Sequence, residues 1–340
     1  MVAHDPANPA PAPLRFGILG AARIAPKALI EPVAKLATAT VSRVAARDHD
    51  RATEFAATHG VDNVAADYRA LIDADDVDVV YNPLPMSLHA DWTIAALRAG
   101  KHVFCEKPFA ANAEEAAAMI AAADETGMVL GEAFHYRYHP MWLRILDLVD
   151  SGTIGTINRV EANFNITIGK PDLRWDYETA GGATMDLGCY PVHWVRDLLG
   201  EPTVTDAFAT ADSDDPLVDA DLTMDLRWES GATGRVRSSM IAEVPDISLR
   251  IEGSSGEVIA ANPMAPQNGN VLTVTTERGT TSGPVDAGIS YDHMVRAFVD
   301  HVCHGSAFPT RGQDSVNNMA VIDAAYRSAG LPERGRTEPV

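Results

Sequence analysis

From residue 14 to about residue 134, five short apolar runs alternate with Ala-rich stretches of helical period. Residues 15–19, 41–46, 77–81, 102–105 and 129–133 read as strands, and 24–36, 50–59, 87–99 and 112–126 as helices. Gly60, Gly100 and Gly127 fall just past helix ends, where a left-handed cap residue is wanted. Strands separated by whole helices cannot pair as hairpins. They pair in parallel through crossover helices, so this half predicts a doubly wound α/β sheet of the Rossmann kind.

After Phe134 the pattern changes. A helix (140–150) leads through Gly152 to a long strand (157–168), and Gly181-Gly182 opens a helix over 183–199. Strands then follow at 203–210, 220–228, 233–240, 247–253, 257–260 and 270–275, joined by turns such as Glu229-Ser230-Gly231 and Ser254-Ser255-Gly256. Two helices (291–303 and 313–328) close the chain. Successive strands joined by turns predict an open, mostly antiparallel sheet in an α+β unit. A chain of 340 residues is long for one core, and the expected division is a Rossmann domain at 14–135 and a substrate and oligomerisation domain at 136–331. Residues 1–13, rich in Pro and Ala, are expected to be a disordered tail rather than a signal peptide, and 332–340 a second tail.

Charge and cysteine usage narrow the function. With 47 acidic against 27 basic residues, the net charge is −20, which argues against nucleic acid and anionic membranes as partners. The three cysteines are far apart, which fits a reducing, cytoplasmic setting without a disulfide framework. No Cys or His spacing suggests a metal, and no apolar run reaches the roughly 18 residues of a membrane span.

Three signals on the strand ends carry the chemistry. Gly20-x-Ala22-x-x-Ala25 sits where a dinucleotide fingerprint belongs, between a first strand and a helix whose N-terminus can hold a pyrophosphate. Asn82-Pro83-Leu84-Pro85, with His89 beyond it, follows a later strand, and Cys105-Glu106-Lys107-Pro108 follows the next. A lysine in a rigid Glu-Lys-Pro turn beside a dinucleotide is a candidate charge for a substrate. Together the signals point to a nicotinamide-dependent oxidoreductase. The expected cofactor contacts are Gly20, Ala22, Arg23, Ile24, Ala46, Arg47, Pro83, Leu84, His89, Glu106, Lys107 and Pro108. The second strand ends Ala45-Ala46-Arg47, with Arg47 where an NAD site carries an acid, so NADP is expected over NAD. Asp48 follows at once and has two readings: a hydroxyl acceptor that would select NAD, or a cap for the next helix.

These motifs, with Gly181-Gly182-Ala183-Thr184-Met185-Asp186-Leu187-Gly188-Cys189-Tyr190, resemble in order and spacing the glucose–fructose oxidoreductase / inositol dehydrogenase / rhizopine-catabolism (Gfo/Idh/MocA) family. Val44-Ala45-Ala46-Arg47-Asp48 and Glu132-Ala133-Phe134 look most like its NADP-dependent dihydrodiol dehydrogenase / D-xylose dehydrogenase branch, and the Asn82–His89 segment is also similar to its nucleotide-sugar 3-ketoreductases. The resemblance covers residues 14–331. It implies an active site between the two domains and a homodimer or homotetramer built through the open sheet. It also implies catalysis by Lys107 and by Tyr190, which stands at the family's acid/base position four residues after Asp186.

A phenol moves protons poorly near pH 7 unless a neighbouring cation lowers its pKa, and Lys107 is the expected cation. Asp186 and Tyr190 are four residues apart and His193 three further on, so all three can share one helix face. Asp186 is expected to orient a sugar hydroxyl or Lys107. His193 is a substrate ligand, a proton relay or a structural histidine. Arg174, with Trp175 beside it, and Arg137, with His135 and His139 around it, are candidates to close over the substrate. The substrate class so implied is a sugar, polyol or trans-dihydrodiol. A nucleotide-linked 3-keto sugar is the alternative, and a non-catalytic NADP-binding regulator the third reading.

Overall fold

The computed structural model describes residues 12–335, so the expected tails lie largely outside the described residues. The N-terminal half forms one parallel sheet from β1 (Leu14–Leu19), β2 (Ala39–Ala45), β3 (Asn63–Val64), β4 (Val79–Asn82), β5 (His102–Cys105) and β6 (Leu130–Glu132). Its strand order, β3-β2-β1-β4-β5-β6, reverses direction between β1 and β4. That switch point opens a crevice at the carboxyl ends of the strands, where ligands bind in open α/β sheets. All four residues of β4 are buried, as expected of a central strand covered on both faces.

The second sheet contains β7 (Ile157–Thr167), β8 (Thr203–Ala211), β9 (Asp219–Arg227), β10 (Thr233–Ser239), β11 (Ile241–Gly253), β12 (Gly256–Ala261), β13 (Val271–Thr276) and β14 (Gly279–Gly283). Its order is β14-β13-β12-β11-β7-β10-β9-β8, antiparallel throughout except for the parallel pair β7–β10. One face is apolar: Val160, Ala162 and Phe164 of β7, Leu222 and Met224 of β9 and Leu249 and Ile251 of β11 are buried against helices. The opposite face carries ion pairs such as Arg235–Asp225 and Arg237–Asp221.

The short elements β3, β14 and helix Tyr68–Ile72 were not expected: β3 has two residues, the helix is little more than one turn, and β14, Gly-Thr-Thr-Ser-Gly, has no apolar residue to mark a face. β11 begins at Ile241 rather than near 247. Pro245 falls where its register with β7 shifts, an irregularity that accommodates a proline within the strand. The first crossover helix ends at Val33 and starts with a π-turn, Pro26–Ile30.

Helix Ser290–His304 packs on the N-terminal sheet. Its Met294, Val295, Phe298 and Val299 join Phe16, Ile18, Val79, Tyr81 and Phe104 in one buried cluster, with Phe298 stacked on Phe104 at 4.4 Å. Each such side chain contributes about 1.5–3 kcal/mol on burial. The late helix thus covers one face of the Rossmann sheet and brings its own N-terminus to the cleft. The chain past 331 is anchored as well. Arg334 is 2 % exposed and pairs with Asp219 at 2.9 Å, deep in the second domain.

Candidate active site

The Gly-rich turn leaves β1 at Gly20, whose φ of +88° suits glycine, and a Cβ there would come within 3.2 Å of Leu84. The Gly20 amide bonds the Ala45 carbonyl of β2, and the next amide to reach a backbone carbonyl is that of Ala25. The amides between them are open to phosphate oxygens. The turn therefore fits the pyrophosphate of a dinucleotide, held at a helix start. At the end of β2, Asp48 accepts from the Arg51 amide at 3.1 Å and caps helix His49–His59, so of its two readings the cap is the one formed. Arg47 is exposed, and Arg51, in the first turn of that helix, reaches the Ala21 carbonyl at 3.4 Å. Both guanidiniums lie near the Tyr68 hydroxyl. Arg51 was missed in the sequence, because Arg47 lies before the helix start and no helical spacing links the two.

The loops after β4 and β5 are tied to each other. His89 is buried between two carbonyls, its Nδ1 2.9 Å from Pro108 O and its Nε2 2.9 Å from Leu84 O. Burial pushes its pKa down to about 4. Its ring joins the Pro83-Leu84 loop to the Glu-Lys-Pro loop and has no nitrogen left for a cofactor. Glu106 accepts from the Tyr81 hydroxyl at 2.6 Å, which fixes the turn bearing Lys107.

Lys107 meets the second domain across the cleft. Its Nζ donates to Asp186 Oδ1 at 3.0 Å and to the Asp186 carbonyl at 2.8 Å, and lies 5.0 Å from the centre of the Tyr190 ring. Asp186 Oδ2 accepts from Arg174 Nε at 2.6 Å, and Arg174 Nη1 donates to Asp172 at 3.0 Å. Asp172 also meets Arg23 of the Gly-rich turn at 3.3 Å. Burial opposes charge on Asp186, yet Lys107 and Arg174 outweigh it and hold the carboxyl below its usual range. Burial likewise opposes charge on Lys107, and Asp186 outweighs it in turn. The pair is ionised, as a partnered buried pair must be.

Tyr190 differs from the expectation. Burial raises its phenol well above the ordinary value, because Lys107 bonds Asp186 and lies over the ring rather than beside the hydroxyl. Phe134, Tyr136 and Phe164 enclose the ring at centroid distances of 5.4, 6.0 and 5.7 Å. Its hydroxyl is 3.3 Å from His135 Nε2. The tyrosine is held neutral, as an acid.

Lys107, Asp186, Tyr190 and Arg174 thus come together, whereas His193 and Arg137 are engaged elsewhere. His193 bonds the Tyr136 hydroxyl through Nδ1 and Asp314 through Nε2 at 2.9 Å. Arg137 pairs with Asp197 at 2.6 Å. Trp175 donates to the Ile168 carbonyl at 3.1 Å with Lys170 over its ring, a packed tryptophan.

The helix start is fixed by residues with no local signal. Asp219 Oδ2 accepts from the Thr184 amide and hydroxyl, both at 2.7 Å, and Asp219 Oδ1 accepts from Tyr326 and Arg334, both at 2.9 Å. Arg334 Nε also donates to the Gly181 carbonyl at 2.8 Å, and its own carbonyl accepts from Asn112 at the end of the Lys107 loop. A Cβ on Gly182 would lie 2.1 Å from Asp219 Oδ1, so the double glycine is required. Among the described residues no group of three or more His, Cys, Asp or Glu could hold a metal, and no helix is long and apolar enough to cross a membrane.

Comparison with known proteins agrees with this architecture. Residues 14–134 match the oxidoreductase family with an NAD-binding Rossmann fold, and residues 142–259 match the GFO/IDH/MocA C-terminal domain. A D-xylose 1-dehydrogenase (NADP(+)) of Haloferax volcanii is 38% identical over 93% of this chain and 97% of its own length. A dTDP-3,4-didehydro-2,6-dideoxy-alpha-D-glucose 3-reductase of Streptomyces violaceoruber is 40% identical over 95% of this chain and 94% of its own. The crystal structure of a 3-ketoreductase from Actinomadura kijaniata, in complex with NADP and TDP-benzene, superposes with a TM-score of 0.85 at 28% identity, covering 95% of this chain and 99% of that one. The chain belongs to the Gfo/Idh/MocA family of oxidoreductases.

Proposed function

We propose that this family member is an NADP-dependent dehydrogenase of a free sugar or polyol, with Tyr190 as acid/base and Lys107 as the charge at the reacting oxygen. The observation that carries the reading is the meeting of Lys107, Asp186 and Tyr190, from two domains, at the carboxyl end of β5. NADP, held by its pyrophosphate at the Gly-rich turn, would supply hydride transfer through its nicotinamide. Lys107 then presents its ammonium to the reacting oxygen, Asp186 and Arg174 hold that ammonium in place, and Tyr190 moves the proton. The NADP relative from Haloferax and the exposed guanidiniums of Arg47 and Arg51 support NADP over NAD.

The charges favour an uncharged substrate. Between residues 169 and 190 the bases are Lys170 and Arg174, against Asp172, Asp176, Glu178 and Asp186. Lys170 lies on Asp212 and Asp214, and Arg174 on Asp172 and Asp186. A diphosphate-linked sugar would have to break such pairs. Reduction of NADP⁺ with a panel of free aldoses and polyols, beside oxidation of NADPH with a nucleotide-linked 3-keto sugar, tests the reading. Turnover on free sugars alone is expected. Turnover confined to the nucleotide-linked ketone would establish the reductase instead, and none on either or on a trans-dihydrodiol would leave an NADP-binding regulator.

The outer face of the second sheet exposes Phe208, Ile241 and Val244 at 65, 50 and 78 %, and a homodimer or homotetramer built on that face would cover them. The free thiols of Cys105 and Cys189 suit a reducing, cytoplasmic setting.

A further inference from the structure

We infer that His135 is a positioning residue that completes a proton relay behind Tyr190, with its Nε2 lone pair as the acceptor for the phenol proton; this rests on the acid/base reading of Tyr190. The relay is a line of four groups. Tyr190 Oη lies 3.3 Å from His135 Nε2, His135 Nδ1 lies 2.7 Å from Ser290 Oγ, and Ser290 Oγ lies 3.0 Å from Gln267 Oε1. The His135 ring is fixed by stacking on Tyr291 at 4.0 Å.

The direction of the line follows from one backbone amide. Gln267 Oε1 also faces the Ser290 N–H at 3.4 Å, and an amide N–H can only donate. The atom facing Ser290 is therefore the carbonyl oxygen. The Ser290 hydroxyl must donate to it, since otherwise two oxygens would meet at 3.0 Å with no hydrogen between them. Ser290 Oγ then accepts from His135 Nδ1–H. That tautomer leaves His135 Nε2 bare, facing the Tyr190 hydroxyl.

A buried phenol held neutral cannot take a substrate proton unless its own proton leaves. In sugar oxidation, the substrate O–H proton passes to Tyr190 Oη as the Tyr190 proton passes to His135 Nε2. The C–H bond breaks with its electron pair, and the hydride reduces NADP⁺. The products are the carbonyl compound, NADPH and an imidazolium. Reduction runs the same path backwards. The charged and titratable groups facing His135 are Tyr190, Tyr291, Lys107, Lys27 and His139. Burial, with these cations, pushes its pKa down to about 3, so the imidazolium is transient: once product leaves, Nε2–H returns its proton to Tyr190 Oη as the phenol releases its own to water in the vacated cleft.

Two measurements test this, one of them independent of substrate. In the ¹⁵N-histidine-labelled protein with NADP⁺ bound, the spectrum is expected to show His135 protonated at Nδ1 and bare at Nε2. A proton on Nε2 would overturn the relay whatever the activity. Ser290→Ala should free the tautomer, and Ser290→Thr should preserve it. In steady state, His135→Gln keeps a hydrogen-bond acceptor but cannot take a proton. It should lower kcat for sugar oxidation by about 10–100-fold with NADPH affinity intact. The proton inventory should change from two protons in flight to one. A His135→Gln variant with wild-type kcat and inventory, beside an inactive Tyr190→Phe, would remove the relay and leave the acid/base reading standing. An active Tyr190→Phe would remove that reading itself.

Discussion

The two walls of the cleft solve opposite problems. On the cofactor wall, Arg23 is 87 % exposed with Asp172 at 3.3 Å, and Arg47 and Arg51 are exposed, Arg51 reaching the Ala21 carbonyl at 3.4 Å. On the catalytic wall, Lys107, Asp186, Arg174, Asp219 and Arg334 are all partnered inside the protein. The first wall keeps cations open for a ligand that brings its own negative charge. The second neutralises its charges in place, which suits the uncharged substrate proposed above, since such charges need not reorganise. The contrast predicts that substitutions on the cofactor wall alter affinity, and those on the catalytic wall alter rate or stability.

The largest effect belongs to Tyr190. Tyr190→Phe should lower kcat by on the order of 10²–10⁴, the usual worth of a general acid/base, with cofactor binding unchanged. A variant retaining more than half of wild-type kcat on its sugar would break the contrast at its centre.

Arg334→Ala should cost stability. It leaves Asp219 uncompensated at 0 % exposure and frees the start of the catalytic helix. Breaking a buried pair from one side costs about 3–5 kcal/mol. Urea denaturation checks this, and a loss under about 1 kcal/mol would mean that Arg334 is not the latch.

Glu132 offers a pH test. Burial pushes its carboxyl up from 4.5 to about 8, more than Ser315 beside it offsets. The folded state therefore holds a proton that the unfolded state releases above about 4.5. This contribution is fully present below pH 4.5 and is lost as the pH rises toward 8, at up to about 1.4 kcal/mol per unit. Thermal scans from pH 5 to 8 should show that slope in the wild type and a flatter one in Glu132→Gln.

The smallest effect is on the cofactor wall. Arg47→Ala should weaken NADPH about 10–150-fold, a charge-assisted pair being worth roughly 1.5–3 kcal/mol, and leave NADH nearly untouched. Titration of both cofactors decides it. Equal losses for both would show that Arg47 does not read the 2′-phosphate.

The same contrast explains what the sequence disclosed. The parallel sheet follows from periodicities of four or more residues, and the Gly-rich turn and the Glu-Lys-Pro loop from patterns a few residues long. Asp186 and Tyr190 are legible because the resemblance marks them within one short motif, and a spacing of four lets them share a face. Their supports are not. His135 is 55 residues from Tyr190, Asp219 is 35 from Thr184, and Arg334 is 153 from Gly181. No local pattern records such pairings, and Arg334 reads from sequence as part of a tail. His193 kept three readings open for the converse reason. Helical spacing gives it the right face, but Tyr136 and Asp314, which occupy its nitrogens, come from other elements.

Lys107 stands where the walls meet and tests the account most directly. Its ammonium could serve the cofactor or the reacting oxygen, and Lys107→Met separates the two when NADPH dissociation and single-turnover hydride transfer are measured on one preparation. The account predicts a transfer rate lowered roughly 10²–10³-fold, the worth of a preorganised charge at the reacting oxygen, with NADPH affinity within about threefold of wild type. A raised NADPH dissociation constant with unchanged transfer at saturating cofactor would contradict it and assign Lys107 to the cofactor wall.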